Sequence, residues 1–220
     1  MGKRIAVYLI GLAINALGIA FIIFSTVGAG AWDTVAIGLN HSLSLTIGIC
    51  TVITQVFVVI ITGLIERKRL QYESIIAIMI RSAFLDAWIF LVFNQIDTSF
   101  SWGMQWLFFI AGIVSMGIGI GIYVEARFPK SPIDGLMLAL HNRFKWSINN
   151  SRIIVELSGA LIGFLLGGPV GLGTLIIALF VGKIIQIVNM RVKKILNLEF
   201  EYKGTVGTEG QAPRPRQNEV

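Results

Sequence analysis

The chain has 220 residues, 55% of them hydrophobic and 14% charged, with a mean hydropathy of +0.79. So few charges cannot cover a water-soluble globule, and the composition specifies an integral membrane protein. The net charge of +6 would suit a nucleic-acid partner in a soluble protein. Here the basic residues stand at the ends of apolar runs, where they act as topology signals, and no nucleic-acid binding is expected.

Crossing the hydrocarbon core takes roughly 20 apolar residues in a helix. Taken in order, the apolar segments predict six spans: Ile5 to Phe24, Ile47 to Ile65, Ser74 to Phe93, Trp106 to Val124, a short one from Ile153 to Leu166, and Val170 to Val188. Met1-Gly-Lys-Arg before the first run resembles the start of a signal peptide. The run is long and leads into further spans, so it reads as a retained first helix. Cys50 is the one cysteine and lies inside the second span, which leaves neither a disulfide framework nor a thiolate metal site.

After the first span and again after the fourth comes a stretch too short to cross. The first is Gly28-Ala-Gly-Ala-Trp-Asp-Thr-Val-Ala-Ile-Gly-Leu39; the second is Ser131-Pro-Ile-Asp-Gly-Leu-Met-Leu-Ala-Leu140. Asp33 and Asp134 are 101 positions apart, and so are Leu39 and Leu140, so the two copies align without a gap. Each copy predicts a short helix with an aspartate in its first turn. At the same offset Gly11 faces Gly112 and Gly18 faces Gly119.

Lysine and arginine give the orientation. Lys3 and Arg4 precede the first span, Arg67, Lys68 and Arg69 follow the second, Arg127, Lys130, Arg143 and Lys145 follow the fourth, and Arg191, Lys193 and Lys194 follow the sixth. The loops between contain neither residue, so both termini are expected in the cytoplasm. Three spans per half is an odd number, which turns the second half over relative to the first. The expected fold is therefore an all-α integral membrane protein with six transmembrane helices, built as two inverted three-helix repeats, each with a short extra helix after its first span. The first repeat covers residues 1–105 and the second 106–198. Residues 199–220, polar and rich in glycine, proline and charge, read as a disordered cytoplasmic tail.

The residues that carry chemistry follow from this frame. An aspartate in the first turn complements the helix dipole, worth about 0.3–1 kcal/mol on a wet surface. The alternative is that two short helices entering from opposite faces bring their N-termini, with Asp33, Asp134 and the neighbouring Gly30 and Gly135, to a site for a solute or ion. Arg81, Asp86, Glu156 and Lys183 fall within predicted spans, where a charge costs ~2.5–3.5 kcal/mol, so each should face the interior or, for Arg81 and Lys183, snorkel toward the surface. Arg81 and Asp86 are five residues apart, a poor same-face spacing, so each should pair with another helix. Asn15 reads as interhelical glue, and Trp32, Trp102, Trp106 and Trp146 as interfacial anchors. His41 and His141 lack a second ligand at helical spacing and are not at matching positions, so no metal is expected. Gly117-Ile-Gly-Ile-Gly121 permits close helix contact within one protomer or between two.

At Gly28-Ala-Gly-Ala-Trp-Asp-Thr34, Ser131-Pro-Ile-Asp-Gly135 and Gly171-Leu-Gly-Thr174 the chain resembles the YczE/YyaS/YitT family of bacterial integral membrane proteins. It is similar to the short YczE-like branch, which lacks the soluble C-terminal domain of YitT-like members. Ala31 departs from the pattern, since proline is expected there as at Pro132. The resemblance implies a bacterial inner-membrane protein and carries over no catalytic residue.

No G-x-S-x-G, H-E-x-x-H or Walker A sequence is present, so neither an enzyme nor a cofactor is expected. Two function classes follow. One is a transporter of a small solute or ion with Asp33 and Asp134 at its site; the other is a membrane scaffold or regulatory component acting through a partner protein. A membrane-embedded enzyme, a third class, rests only on isolated polar residues. A transporter requires a polar cavity walled by both halves, whereas a scaffold can leave the two aspartates at the water interface.

Overall fold

The computed structural model describes residues 2–67, 73–94, 101–126 and 131–196. The expected tail, 199–220, lies outside them, as do Lys68, Arg69, Arg127 and Lys130 of the basic loops. Among the described residues all regular structure is helical: α1 (Gly2–Ser25), α2 (Ala31–Leu43), α3 (Ile47–Glu66), α4 (Glu73–Trp88, continued by a π-helical turn Ile89–Phe93), α5 (Trp102–Glu125), α6 (Pro132–Phe144), α7 (Ile148–Leu165) and α8 (Leu172–Leu196).

Five stretches are long and apolar enough to cross a membrane: Arg4–Ser25, Ile47–Glu66, Ser74–Phe93, Trp102–Glu125 and Leu172–Val192. The remaining expected span, the fifth in chain order, falls on α7, which has 18 residues and thus a length of about 27 Å. Asn149, Asn150, Arg152 and Glu156 crowd its first half, which keeps it from being apolar in its own right. Large apolar side chains such as Leu64, Leu91, Leu107, Leu157 and Leu179 point outward on these helices. Such a surface is stable only against lipid, and the chain is a multi-pass membrane protein.

The central contact is between α1 and α5, and it is made by glycine. A Cβ on Gly11 would meet the Tyr123 nitrogen at 2.6 Å and the Gly119 carbonyl oxygen at 2.9 Å. One on Gly112 would meet the Gly18 carbonyl oxygen at 2.9 Å, and one on Gly18 or Gly119 would collide with the backbone of Met116 or Asn15. Two helices without side chains at their crossing approach backbone to backbone, which in lipid replaces the missing hydrophobic drive with van der Waals contact. The remaining helices pack as α1 on α4, α5 on α8, α2 on α7, α3 on α6, α2 on α3, α6 on α7 and α3 on α4.

The two short helices span equivalent residues, and their first turns have one geometry. Gly30 before α2 has φ/ψ of −57/147° and Ser131 before α6 has −58/140°, so Ala31 in place of proline leaves the entry unchanged. Their exits match as well. Ser44 and Lys145 both close their helices in the left-handed region, with φ of 53° and 58°. Asn40 Nδ2 then donates to the Leu45 carbonyl at 2.5 Å, while His141 Nδ1 lies 2.6 Å from the Trp146 carbonyl. A carbonyl only accepts, so His141 bears its proton on Nδ1. Thr46 and Ser147 cap the next helices, each hydroxyl accepting from the amide three residues on at 3.1 Å.

Candidate functional site

The beginning of α2 sits deep in the bundle. Trp32 is 5% exposed, and its indole Nε1 donates at 3.1 Å to the Val155 carbonyl, near the middle of α7. It is therefore a buried bonding residue rather than the interfacial anchor expected from its place at a helix end. Trp102, at 76% exposure, does stand on the surface. Trp32, Val35, Val58, Leu136 and Val155 form one apolar cluster, which ties the first turns of α2 and α6 to the middles of α3 and α7. The backbone entering α2 needs glycine at Gly28. Its φ of 145° lies where L side chains are strained, and a Cβ would come within 2.9 Å of the Thr174 nitrogen.

Beside this cluster is a cavity of about 170 Å³. Asp33 and Gly30 from α2 and its entry, Asp134 from α6, Arg81 from α4 and Glu156 from α7 all line it. Asn15, Tyr123 and Arg152 join them, and Ile177, Val181 and Ile185 of α8 supply an apolar wall. Asp33 is half-buried and its carboxylate folds back over Gly30, where a Cβ would sit 2.6 Å from Oδ2. Neither short helix has a side-chain cap bond at its N-cap. Asp33 lies within the field of Arg81, and Glu156 within the fields of Arg152, Asp33 and Asp134. Three carboxylates and two guanidinium groups thus share one charge-mixed space, at which Asp134 and Arg152 are exposed.

Several polar atoms around it are buried without a hydrogen-bond partner. Asn15, 2% exposed, leaves Oδ1 unpaired, and Arg81 leaves one Nη unpaired. Such atoms cost about 1–3 kcal/mol each unless water or a ligand meets them. A second, smaller cavity of about 30 Å³ adjoins the first, lined by Tyr8, Gln55, Ser74, Ala77 and Pro132, with Arg81, Tyr123 and Ser131 common to both. The Gln55 Oε1 facing it is also buried and unpaired. The space has room for about one or two waters.

Of the residues singled out from the sequence, Asp33, Asp134, Gly30, Arg81 and Glu156 converge on the large cavity, and three do not. Gly135 is buried in α6 and closes its first turn, its amide donating to the Ser131 carbonyl at 3.1 Å. Lys183 is exposed on α8, with Nζ 6.0 Å from the ring centre of Phe180 one turn earlier. Asp86 accepts from Thr46 Oγ1 at 2.6 Å and from the Gly48 amide at 2.8 Å, so it caps α3 from α4. Arg152 and Tyr123 were not legible as site residues. For Arg152 a signal did exist, since it precedes Glu156 by four positions and shares its helix face.

Compared with known proteins, the chain matches over residues 2–190 a family described as "Family of unknown function (DUF6198)". It is 31% identical to the uncharacterized protein YyaS of Bacillus subtilis (strain 168) over 82% of this chain and 89% of that one. It is 28% identical to the uncharacterized membrane protein YczE of the same organism, over 81% and 82%. An uncharacterized protein of Haemophilus influenzae is 27% identical over 90% of this chain and 89% of its own length. No solved structure matches.

Proposed function

The chain belongs to the DUF6198 family, and since membership supplies no activity, we propose from its own geometry that it is a six-span, inverted-repeat transporter of the inner membrane. The cargo is a small solute or ion held between Asp33 and Asp134. The observation that carries this reading is the single cavity of about 170 Å³ that takes lining residues from both halves and includes both aspartates. A scaffold has no use for a polar space that gathers three carboxylates and two arginines, Asp33, Arg81 and Glu156 half-buried and Asp134 and Arg152 exposed.

The pairwise pattern of contacts supports the repeat. Exchanging each element for the one 101 positions on turns α1 on α4 into α5 on α8, α2 on α7 into α6 on α3, and maps the α1–α5 contact onto itself. Within that contact Gly11 meets Gly119 as Gly112 meets Gly18. The bond from residue 40 to carbonyl 45 recurs from 141 to 146 with a different side chain. On this reading α7 is the fifth of six spans, packed against α2 and α6, and both termini face the cytoplasm. The cargo crosses chemically unchanged, and the protein is not an enzyme.

The test is cysteine accessibility at positions 33 and 134, each placed singly on a Cys50→Ser background, with a membrane-impermeant thiol reagent applied from either face of oriented vesicles. The expected result is slow labelling at both positions and protection of both by one solute or ion. If position 33 reacts freely from the outside only and position 134 freely from the inside only, the aspartates are interfacial caps and the scaffold reading takes over.

A further inference from the structure

The two halves differ at one junction. α3 packs on α4, whereas their counterparts α7 and α8, although joined by the short connection 166–171, do not pack on each other in the same way. Asp86 bonds the first pair together. One of its carboxylate oxygens takes the Thr46 hydroxyl at 2.6 Å and the other takes the Gly48 amide at 2.8 Å. Gly48 makes room for it, since a Cβ there would lie 2.5 Å from the Asp86 Cγ. In the second half Ser147 repeats the role of Thr46 as a cap, but the residue 101 positions after Asp86 is Ile187, apolar and 50% exposed, and Asn149 stands where Gly48 would be. The cavities are unequal as well, although Asp86, Thr46 and Gly48 line neither of them. The space bounded by Gln55 and Ala77, on α3 and α4, is about 30 Å³, and the space bounded by their counterparts Glu156 and Ala178, on α7 and α8, is about 170 Å³.

We propose that Asp86 is the latch of a gate: it holds α3 against α4 and so closes the cavity toward the face where α3 begins and α4 ends. The cavity is left open toward the opposite face, where α7 begins and α8 ends. This rests on the transport reading and adds its conformational cycle. Two halves of like design in unlike arrangements give the second state by exchange: α3 parts from α4, the Asp86 bonds break, and α7 closes on α8. A carboxylate held by a hydroxyl and an amide is a two-bond, charge-assisted contact, strong enough to bias the equilibrium by about tenfold or more.

The experiment uses Ala31→Cys as a reporter at the cavity wall, on a Cys50→Ser background in oriented vesicles, with an impermeant thiosulfonate applied to one face at a time. With Asp86 intact the reporter is expected to react from the face where α7 begins. Asp86→Ala is expected to raise its reaction from the other face about tenfold. The pair Gly48→Cys with Asp86→Cys, whose side chains would meet, is expected to abolish reaction from that other face when oxidised and to allow it on reduction. If the reporter reacts from the α7 face in every variant, and neither Asp86→Ala nor the oxidised pair alters reaction from the other, the latch is overturned and the transport reading stands. If it reacts from neither face in any variant, the accessible cavity fails, and with it both readings. The disulfide pair guards against an Asp86→Ala protein that does not fold.

Discussion

Set side by side, the helices α1 to α4 and α5 to α8 use similar parts to different ends. Each supplies a glycine-faced helix, a short helix with aspartate in its first turn, and a capped helix after a left-handed exit. They part where Asp86 binds the start of α3 and Ile187 leaves the start of α7 unbound. The difference shows how little side-chain chemistry separates a closed helix pair from an open one when the backbone frame is shared. A single carboxylate, with a glycine to receive it, decides which pair is shut.

The shared part of the comparison breaks first at the α1–α5 crossing. Gly18→Leu and its counterpart Gly119→Leu both force a side chain into opposing backbone, and each is expected to cost about 3 kcal/mol. Thermal unfolding in detergent should report equal losses for the two. A loss confined to one would mean that the crossing does not serve both halves alike.

The unshared part is sharpened by transplanting it. Asn149→Gly with Ile187→Asp supplies the second half with the acid and the space it lacks. The expected outcome is closure of α7 on α8, seen as a several-fold slower reaction of the Ala31→Cys reporter from the face where α7 begins. An unchanged rate would show that the open junction has another cause.

Smaller effects follow from single bonds. Trp32→Phe removes the donor to the Val155 carbonyl and should lower stability by about 1 kcal/mol. Its counterpart Ile133→Val removes no polar contact and should cost less than that, so a comparable loss in the two would argue that packing, not the bond, holds α2. Smallest is the exit of the short helices, where Asn40 and His141 reach the equivalent carbonyl. His141→Asn should be near neutral in thermal unfolding, and His141→Ala should cost about 0.5–1.5 kcal/mol.

Much of this frame was legible in the sequence. Five of the six expected spans are long and apolar enough to cross, because hydrocarbon thickness and helical rise fix their length, and the short helices are legible because Pro132 and the two aspartates mark a helix start. Five of the eight residues named for the site do meet at the cavity. Asp86 pairs with another helix, as its spacing from Arg81 suggests, but its partners lie 38 and 40 positions away, and no local spacing encodes which helix end a carboxylate will cap. Trp32 was taken for an anchor because tryptophan at a helix end commonly lies at the interface. Here the short helix begins inside the protein, so the same position is deep. The parting of α7 from α8 was not legible at all, since it depends on what Ile187 fails to do.

The crossing of α1 and α5 has a consequence for motion. Where side chains interlock, a change of crossing angle must wait for rotamers to rearrange, and that sets a barrier. Backbone against backbone carries no such ratchet. The seam of Gly11, Gly18, Gly112 and Gly119 is in this sense a bearing, on which two rigid bodies can turn without re-gearing. Asn15 and Met116, whose own backbones touch it, keep one wall of the cavity near the axle while the walls farther out travel.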